Sequence, residues 1–247
     1  MHRFFVSKSG FEDQEVRLSA EQAHQVCHVL RLQAGAAMIV LDNAGYEYDV
    51  TLTTVTKREV TGRVTGKRHS SGEPRLRITL FQSLLAREKF EWVLQKGTEV
   101  GVARFVPVQT ERSIARAKRI DAKKLTRWRR ILTEAAEQSH RGLIPEIEEA
   151  TTWNEALSKF GDFDRALIAA TSGRTCSLKE AVRPDDNLPA SIAILVGPEG
   201  GFSDDEVRQA CAGGAVPVGL GPRILRTETA AMVLSAITLH ELGELEP

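Results

Sequence analysis

Apolar and polar residues alternate with a period of two over the first part of the chain. The strand-like runs are Arg3 to Val6, Glu15 to Leu18, Ala37 to Leu41, Tyr46 to Val55 and Glu59 to Lys67. A period of two is typical of β-strands that bury one face. The breakers Asp42 to Gly45 separate two of these runs and predict a hairpin turn. We therefore expect a small β-barrel at the amino terminus.

A helical pattern interrupts these strands. Ser19 and Gln22 have the spacing of a capping box, and the helix is expected to stop near Gly35. His24 and His28 lie four residues apart, which suggests a metal site. The glutamate of the H-E-x-x-H motif and a third ligand pattern are missing, so we expect a partly exposed helix and no metal.

Strands and helices alternate beyond about residue 73. Residues 68–75 are polar and rich in breakers, so we place a domain boundary there and divide the chain into residues 1–72 and 73–247. The predicted strands are Leu76 to Leu84, Arg104 to Val108, Arg165 to Ala170, Ile192 to Val196 and Ala215 to Leu220, with helices at Glu88 to Val100 and Leu178 to Val182. This alternation predicts an α/β domain with a parallel sheet flanked by helices.

Composition narrows the class of protein. The chain has 247 residues, of which 42% are hydrophobic and 27% charged, as in globular proteins with a sizeable core. No apolar run reaches the roughly 18 residues of a membrane span, and the amino terminus lacks the apolar core of a secretion signal. Cys27, Cys176 and Cys211 form no C-x-x-C pair, which argues against disulfides and structural zinc. We expect a cytoplasmic protein.

Charge is balanced overall but not locally. Thirty-three basic and 33 acidic residues give a formal net charge of +0, which excludes a uniformly basic nucleic-acid binder. In residues 112–130, however, only Asp121 opposes the cations Arg112, Arg116, Lys118, Arg119, Lys123, Lys124, Arg127, Arg129 and Arg130. We favour phosphate contact for this segment. The alternative is an ordinary amphipathic helix with a solvated face, whose inward stripe is Leu125, Trp128, Leu132 and Ala136.

Glycine-rich turns follow the last two predicted strands. The first turn, Gly197 to Ser203, leads into a helix whose start has the capping-box pair Ser203 and Glu206. Because residues 204–206 are acidic, they already compensate the positive helix end, and a nucleotide phosphate is disfavoured there. A ligand that takes backbone hydrogen bonds and tolerates carboxylates fits better, such as a nucleoside carrying a sulfonium. The alternative is that the glycines serve tight turns alone.

The second turn lies within Leu220 to Ala230 and places two arginines beside a helix start. Arg223 and Arg226 precede Thr227, which we predict to be the N-cap. A cation is unfavourable at this end of a helix, so its presence suggests a use. Apolar residues then cover nearly every direction around the helix from Ala230 to Leu239. Burial against a second subunit would accommodate them, and a central core helix is the alternative.

These motifs resemble a known family, the RsmE-type ribosomal RNA methyltransferases of the SPOUT superfamily. The resemblance is carried by LVGPEGGFSDDE at 195–206 and LGPRILRTETA at 220–230, and it is supported by EKFEWVLQKGTEVGV at 88–102, EAAEQSHR at 134–141, HVLRLQAG at 28–35 and HRFFV at 2–6. It spans both predicted domains. It implies a SPOUT-type parallel α/β sheet with a carboxy-terminal deep trefoil knot, and an amino-terminal PUA-like β-barrel that binds RNA.

The function implied by this resemblance is S-adenosylmethionine-dependent methylation of uridine N3 in 16S ribosomal RNA, by a homodimer that forms through the carboxy-terminal domain. The residues expected to bind S-adenosyl-L-methionine are Leu195, Val196, Gly197, Glu199, Gly200, Gly201, Leu220, Gly221, Ile224 and Leu225. The residues expected to bind RNA are Arg3, His24, Arg31, Arg112, Arg116, Lys123, Arg127, Arg141 and Arg223. Many relatives place an acid after the strand that ends here at Ala170, whereas this chain continues Thr171-Ser172.

Methyl transfer from a sulfonium is an in-line displacement that depends on orientation. Uridine N3 is a weak nucleophile while protonated, so a base and a group that stabilises charge on the carbonyl oxygens are expected. We assign the second role to Arg226 and leave the base open between Glu199 and Glu228. The competing hypotheses are a non-catalytic RNA-binding or ribosome-assembly module on the same scaffold, and a nucleotide hydrolase, which the acidic residues 204–206 disfavour.

Overall fold

A computed structural model of the chain describes residues 1–113, 121–171, 175–183 and 187–246. These residues form two compact units. The first consists of residues 1–73 together with 136–144, and the second of residues 74–135 together with the described residues from 145 onward. The first unit thus includes a later segment that the local sequence pattern did not assign to it. The assignment of residues 1–72 and 73–247 as the functional domains stays a prediction.

The first unit contains a six-stranded sheet that curls into a half-barrel. Its strands are β1 (Arg3–Phe5), β2 (Phe11–Glu12), β3 (Glu15–Arg17), β4 (Ala37–Leu41), β5 (Tyr46–Val55) and β6 (Val60–His69). Their order across the sheet is β1-β4-β5-β6-β3-β2, and the pairs are antiparallel except β1 with β4. Alternate residues point inward, so that Val16, Val40, Val50 and Val60 meet in one apolar core.

The helix of the first unit is shorter than its pattern predicts. Helix α1 (Ala20–His24) starts at the predicted capping box of Ser19 and Gln22, which is confirmed, and continues as a π-helical segment, Gln25–Val29. It ends well before Gly35, so the predicted end is wrong. The physical reason is the left-handed backbone of Arg31, with φ of 54°, which turns the chain out of the helix.

The second unit is built on a parallel sheet, which confirms the predicted α/β class. Its strands are β7 (Arg77–Ser83), β8 (Arg104–Gln109), β9 (Glu146–Ile147), β10 (Thr151–Thr152), β11 (Arg165–Ala169), β12 (Ser191–Val196) and β13 (Ala215–Val218). The order is β10-β8-β7-β12-β11-β13, with β9 also paired to β8. All of these pairs are parallel. The central strands are buried and rich in Ile, Leu, Val and Ala, as expected when both faces of a sheet are covered.

Helices alternate with these strands along the chain. They are α2 (Arg87–Val100), α3 (Ala122–Gln138), α4 (Trp153–Ser158), α5 (Leu178–Val182), α6 (Asp204–Ala212) and α7 (Thr227–Glu241). The predicted inward stripe of α3 is confirmed at Trp128, which is fully buried and stacks on Phe90 of α2 with ring centroids 4.5 Å apart. The aromatic pair anchors α3 to α2, because such rings bury large apolar areas.

Helix α7 begins differently from the prediction. Its N-cap is Arg226, which provides no side-chain cap, whereas Thr227 is already the first helical residue. The hydroxyl of Thr227 is turned inward and donates a hydrogen bond to the carbonyl oxygen of Gly197. The predicted N-cap at Thr227 is therefore wrong, because a tertiary hydrogen bond takes the hydroxyl that local capping would use.

Candidate functional site

A cavity of about 840 Å³ opens at the carboxyl ends of β11, β12 and β13. Parallel pairing places these ends at the same edge, since Ile168 pairs with Leu195 and Ala169 pairs with Val218. The cavity is lined by residues 169–171, 196–202 and 218–228, together with Lys89, Thr175, Val207 and Ala230. A crevice beyond the carboxyl ends of parallel strands is the usual ligand site of α/β sheets, and this cavity is large enough for a nucleoside-sized ligand.

The first glycine turn is held in a conformation that side chains would prevent. Gly201 has φ of 66°, in the left-handed region that favours glycine. A Cβ on Gly197 would lie 3.1 Å from the backbone nitrogen of Phe202. Arg112 braces the turn from outside, because its guanidinium donates to the carbonyl oxygens of Gly200 at 3.0 Å and Phe202 at 3.2 Å. Arg112, predicted to contact RNA, thus has a local partner.

Helix α6 fixes the far end of this turn. The predicted capping box is confirmed, because Ser203 Oγ accepts from the backbone N–H of Glu206 and the Glu206 carboxylate accepts from the N–H of Ser203. The same carboxylate also accepts from the N–H of Glu111 over 2.8 Å. Glu206 is buried, and its acceptors are used by backbone donors. It therefore stabilises the turn and is not available to a ligand.

The second turn carries the exposed groups of the site. Gly221 has φ of 88°, and Arg223, Ile224 and Arg226 are exposed along the cavity rim. Neither arginine forms a salt bridge with another residue in the part of the chain that the structure describes. Two uncompensated guanidinium groups at one rim favour an anionic partner. This arrangement agrees with the placement that the sequence predicts for them.

The two candidate bases have different surroundings. Glu199 Oε1 lies 3.0 Å from the Nζ atom of Lys89. Burial raises the pKa of Glu199, but its own backbone N–H and the hydrogen bond from Lys89 outweigh burial, so that the net pKa is lowered. Glu228 is half-buried on the cavity wall, and its Oε2 atom has no hydrogen-bond partner among the described residues. A carboxylate with a lowered pKa is a poor proton acceptor, so Glu199 is poorly suited to act as a base.

Most of the predicted cofactor residues line the cavity. They are Val196, Gly197, Glu199, Gly200, Gly201, Leu220, Gly221, Ile224 and Leu225. Leu195 is buried inside β12 with 1% of its surface exposed and lies behind the lining. Thr171 borders the cavity, whereas Ser172 lies outside the described residues.

Sequence reasoning missed Lys89, Thr175 and Phe202 as parts of the cavity wall. Lys89 lies four residues after the Leu85 that follows β7, at the same carboxyl edge of the sheet as the glycine turns. Its position after the first strand of the α/β domain was the available signal, because turns at that edge converge on one crevice. Thr175 and Phe202 carried no comparable signal.

The predicted RNA residues of the first unit fall into two groups. His24 and Arg31 are exposed. Arg3 is largely buried and forms a salt bridge with Glu47. Arg141 is 3% exposed and forms two hydrogen bonds with Glu73, one from Nε at 3.1 Å and one from a terminal nitrogen at 2.7 Å. In this structure the guanidinium groups of Arg3 and Arg141 face carboxylates.

The predicted RNA residues of α3 also have different surroundings. Lys123 is exposed. Arg127 makes a bidentate pair with Glu91 of α2, with both N···O distances 2.7 Å, and its hydrogen bond is the largest cause of the lowered pKa of Glu91. Arg116 lies outside the described residues. The basic face of α3 is thus partly neutralised by an acid from a neighbouring helix.

Within residues 1–113, 121–171, 175–183 and 187–246, no three His, Cys, Asp or Glu side chains are grouped to hold a metal ion. His24 and His28 lie with ring centroids 4.6 Å apart. In the same residues, no helix has the length and apolar content needed to cross a membrane.

Two family matches define the class of protein to which this fold and crevice belong, that of RNA methyltransferases. A family described as an RNA methyltransferase domain matches residues 72–239, and a second, described as an RNA methyltransferase PUA domain, matches residues 18–65. The chain belongs to the family of ribosomal RNA small subunit methyltransferase E. It is 33% identical over 249 residues to the Bacillus subtilis member, with 96% of each chain covered.

Solved structures of relatives agree with this membership. A ribosomal RNA small subunit methyltransferase E from Neisseria gonorrhoeae, bound to S-adenosyl methionine, is 33% identical with a TM-score of 0.86, and 97% of each chain is covered. A putative methyltransferase from Legionella pneumophila, in complex with the same cofactor, is 31% identical with a TM-score of 0.85 and 96% of each chain covered. The likeness therefore extends over both units.

We predict that Arg141 stabilises the fold. Replacement Arg141→Ala leaves Glu73 without its cation and should lower the free energy of unfolding by about 3 kcal/mol, as measured by urea denaturation. Arg129→Ala, on the exposed face of α3, is the control and should change this value by less than about 0.5 kcal/mol. Equal stability of the two variants, combined with weaker RNA binding by Arg141→Ala, would instead support a direct contact with RNA.

Proposed function

We propose that the protein transfers a methyl group from S-adenosylmethionine to uridine N3 in the 16S ribosomal RNA of the small ribosomal subunit. Membership of the family supports the substrate class, and the relatives with bound S-adenosylmethionine support the cofactor. The observation that carries the proposal is the cavity of about 840 Å³ between two glycine turns at the carboxyl edge of the sheet. The choice of uridine N3 rests on the resemblance in the turn motifs.

The residues of the cavity fit this cofactor. Gly197, Gly201 and Gly221 place no side chain between the backbone of the turns and a ligand, and the wall contains the carboxylate of Glu199, which is compatible with a positive sulfonium. S-adenosylmethionine, when bound, supplies a methyl carbon activated by the sulfonium. The backbone of the two turns would hold it, with Val196 and Leu225 among the lining residues.

Arg226 is the group proposed to stabilise negative charge on the uracil carbonyl oxygens. It is exposed at the rim and directly precedes α7, so the first turn of that helix fixes its backbone. Preorganised donors of this kind lower the barrier because they need no rearrangement during the reaction. Arg223, three residues earlier on the same rim, is proposed to hold a phosphate or a neighbouring base.

Glu228 is the proposed base, and Glu199 is proposed to hold the first turn. Glu228 lines the cavity, and its buried Oε2 atom has no hydrogen-bond partner among the described residues, so no other group occupies that oxygen. Glu199 remains ionised at neutral pH because its pKa is lowered, and its pair with Lys89 is lost only when the pH falls through that lowered pKa. Each carboxylate thus has a separate role.

RNA contacts are proposed for the exposed residues His24, Arg31, Lys123 and Arg223. We propose no such role for Arg3 and Arg141, since carboxylates occupy their guanidinium groups. Because phosphate contacts dominate such binding, its affinity should fall with salt. The half-barrel unit is proposed to act as the PUA-like RNA-binding domain of residues 1–72, in line with the family matched over residues 18–65.

The finer features of the proposal concern topology and assembly. We propose that the last turns form the trefoil knot implied by the resemblance, supported by the hydrogen bond from Thr227 to Gly197, which connects the turn after β12 to the chain after β13.

We also propose a cytoplasmic homodimer formed through the carboxy-terminal domain. The partly exposed Trp92 on α2 and Ile237 on α7 support it, because these two helices pack together.

The first test is direct methylation. Small-subunit ribosomal RNA incubated with the protein and S-adenosylmethionine should gain one methyl group on uridine N3, located by mass spectrometry of nuclease fragments. Omission of the cofactor is the control. Binding of the RNA without methyl transfer, together with no thermal stabilisation by the cofactor, would favour the non-catalytic module.

Arg226 is predicted to act in the chemical step. Arg226→Ala should lower the single-turnover methylation rate by about 100-fold or more at saturating cofactor and RNA. Arg183→Ala, an exposed arginine outside the cavity wall, is the control and should retain the rate of the parent protein. Full single-turnover activity of Arg226→Ala would show that the assignment is wrong.

Variants with glutamine in place of each glutamate distinguish the roles of the two carboxylates. Glu228→Gln removes the proposed base and should lower the single-turnover rate by about 100-fold. Glu199→Gln should chiefly weaken cofactor binding, measured by calorimetry, and should lower the saturated rate by less than about tenfold. A larger rate loss in Glu199→Gln than in Glu228→Gln would reverse the assignment.

A further inference from the structure

Buried hydrogen bonds connect the two turns of the cavity. The amide Nε2 of Gln82 donates to Oγ1 of Thr227 over 3.1 Å, and Oγ1 of Thr227 donates to the carbonyl oxygen of Gly197 over 2.5 Å. The same amide nitrogen lies 3.4 Å from the carbonyl oxygen of Val196. Gln82 is 0% exposed and Thr227 is 7% exposed. We call these three residues, Gln82, Thr227 and Gly197, the inter-turn link.

Strand register explains why the amide of Gln82 reaches the first turn. Gln82 lies one residue before the end of β7 and pairs with Val196, the last residue of β12. Its side chain therefore begins where β12 gives way to the glycine turn. From there it reaches both Gly197 and the first residue of α7. The link spans β7, the first turn and the helix that carries Arg226 and Glu228.

The chemistry of the inter-turn link requires these side-chain types. A hydroxyl can accept one hydrogen bond and donate another, so Thr227 accepts from Gln82 and donates to Gly197. Successive hydrogen bonds polarise one another in a site shielded from water. An aliphatic side chain at position 227 would leave the carbonyl of Gly197 without its hydroxyl donor, and one at position 82 would remove the amide that donates to Thr227.

Stability alone does not account for Gln82. Its Oε1 atom is buried and has no hydrogen-bond partner within the described residues. A buried polar atom without a partner is unfavourable, whereas a methionine of similar size would avoid that cost. An amide at this position therefore contributes geometry, namely the defined position of the first turn relative to α7.

We infer that Gln82 and Thr227 are positioning residues for methyl transfer. They fix the backbone of Gly197, on the cofactor side of the cavity, relative to Arg226 and Glu228 on the side of the reacting base. In-line displacement is sensitive to this distance, because a misplacement of about 1 Å can lower a rate by about 100-fold. This inference rests on the proposed function.

Thr227→Val tests the link while preserving side-chain shape. We expect the single-turnover rate at saturating cofactor and RNA to fall at least about tenfold, the size of one lost buried hydrogen bond. Thr227→Ser, which keeps the oxygen, should recover most of that loss. Thr98→Val is the matched control, because Thr98 is fully buried, donates to the carbonyl oxygen of Leu94 at 2.8 Å and lies outside the cavity wall. It should lower the melting temperature and keep the rate.

Gln82→Met provides a second route and keeps the inference testable if Thr227→Val folds poorly. It should lower the saturated rate about tenfold, and the double variant should lose no more than the larger single loss, because both changes break one chain of hydrogen bonds. Rates within about twofold of the parent protein for the folded single variants would overturn the inference, as would fully additive losses.

The parent protein separates failure of this inference from failure of the proposed function. If it shows no binding of S-adenosylmethionine by calorimetry, the proposed function and the inference both fail. If it binds the cofactor and methylates the RNA while the variants match its rate, only the positioning role of Gln82 and Thr227 is wrong.

Discussion

Parallel hydrogen bonding among β7, β12, β11 and β13 is the constraint on which the site depends. In a parallel sheet every strand delivers its chain to the same edge, so the turns after β11, β12 and β13 must meet there. The glycines in these turns then determine what kind of site forms where the turns meet. Gly197, Gly201 and Gly221 allow the backbone to approach a ligand, and a cavity of about 840 Å³ results. If one strand took a different place in the sheet, these turns would be separated even if their sequences stayed the same.

Charge is distributed unevenly around this cavity. On the side of the first turn, Glu199 forms a salt bridge with Lys89, so the opposite charges of this pair nearly cancel on that wall. On the side of the second turn, Arg223 and Arg226 have no matching acid in salt-bridge contact among the described residues. A polyanionic RNA would meet a favourable field near the arginines, whereas a positive sulfonium would be better accommodated beside the neutral pair than beside the arginines. Under the proposed function, the first turn would hold the cofactor and the second turn would face the RNA.

Local patterns predicted the parts of this arrangement that depend on neighbouring residues. The capping boxes at Ser19 and Ser203 and the parallel strands followed from spacing and periodicity, since these depend on residues a few positions apart. The predicted N-cap at Thr227 was wrong because the hydroxyl of Thr227 donates a hydrogen bond to the carbonyl oxygen of Gly197, 30 residues earlier. Likewise Arg141 has a partner, Glu73, that lies 68 residues away in the chain. Such pairs become visible only after the fold brings them together.

These distant pairs also change how the protein's basic residues relate to RNA. The chain has as many acidic as basic residues, 33 of each, and ion pairs such as Arg127 with Glu91 further remove individual cations from the pool available to phosphate. Salt-dependent affinity grows with the number of phosphates neutralised, so fewer available cations mean weaker binding to unstructured RNA. Recognition must then depend more on shape and on the few cations held in defined positions. Under the proposed function Arg223 is such a cation, because the turn that carries it leads into a helix whose first residue, Thr227, is joined to the sheet through Gln82.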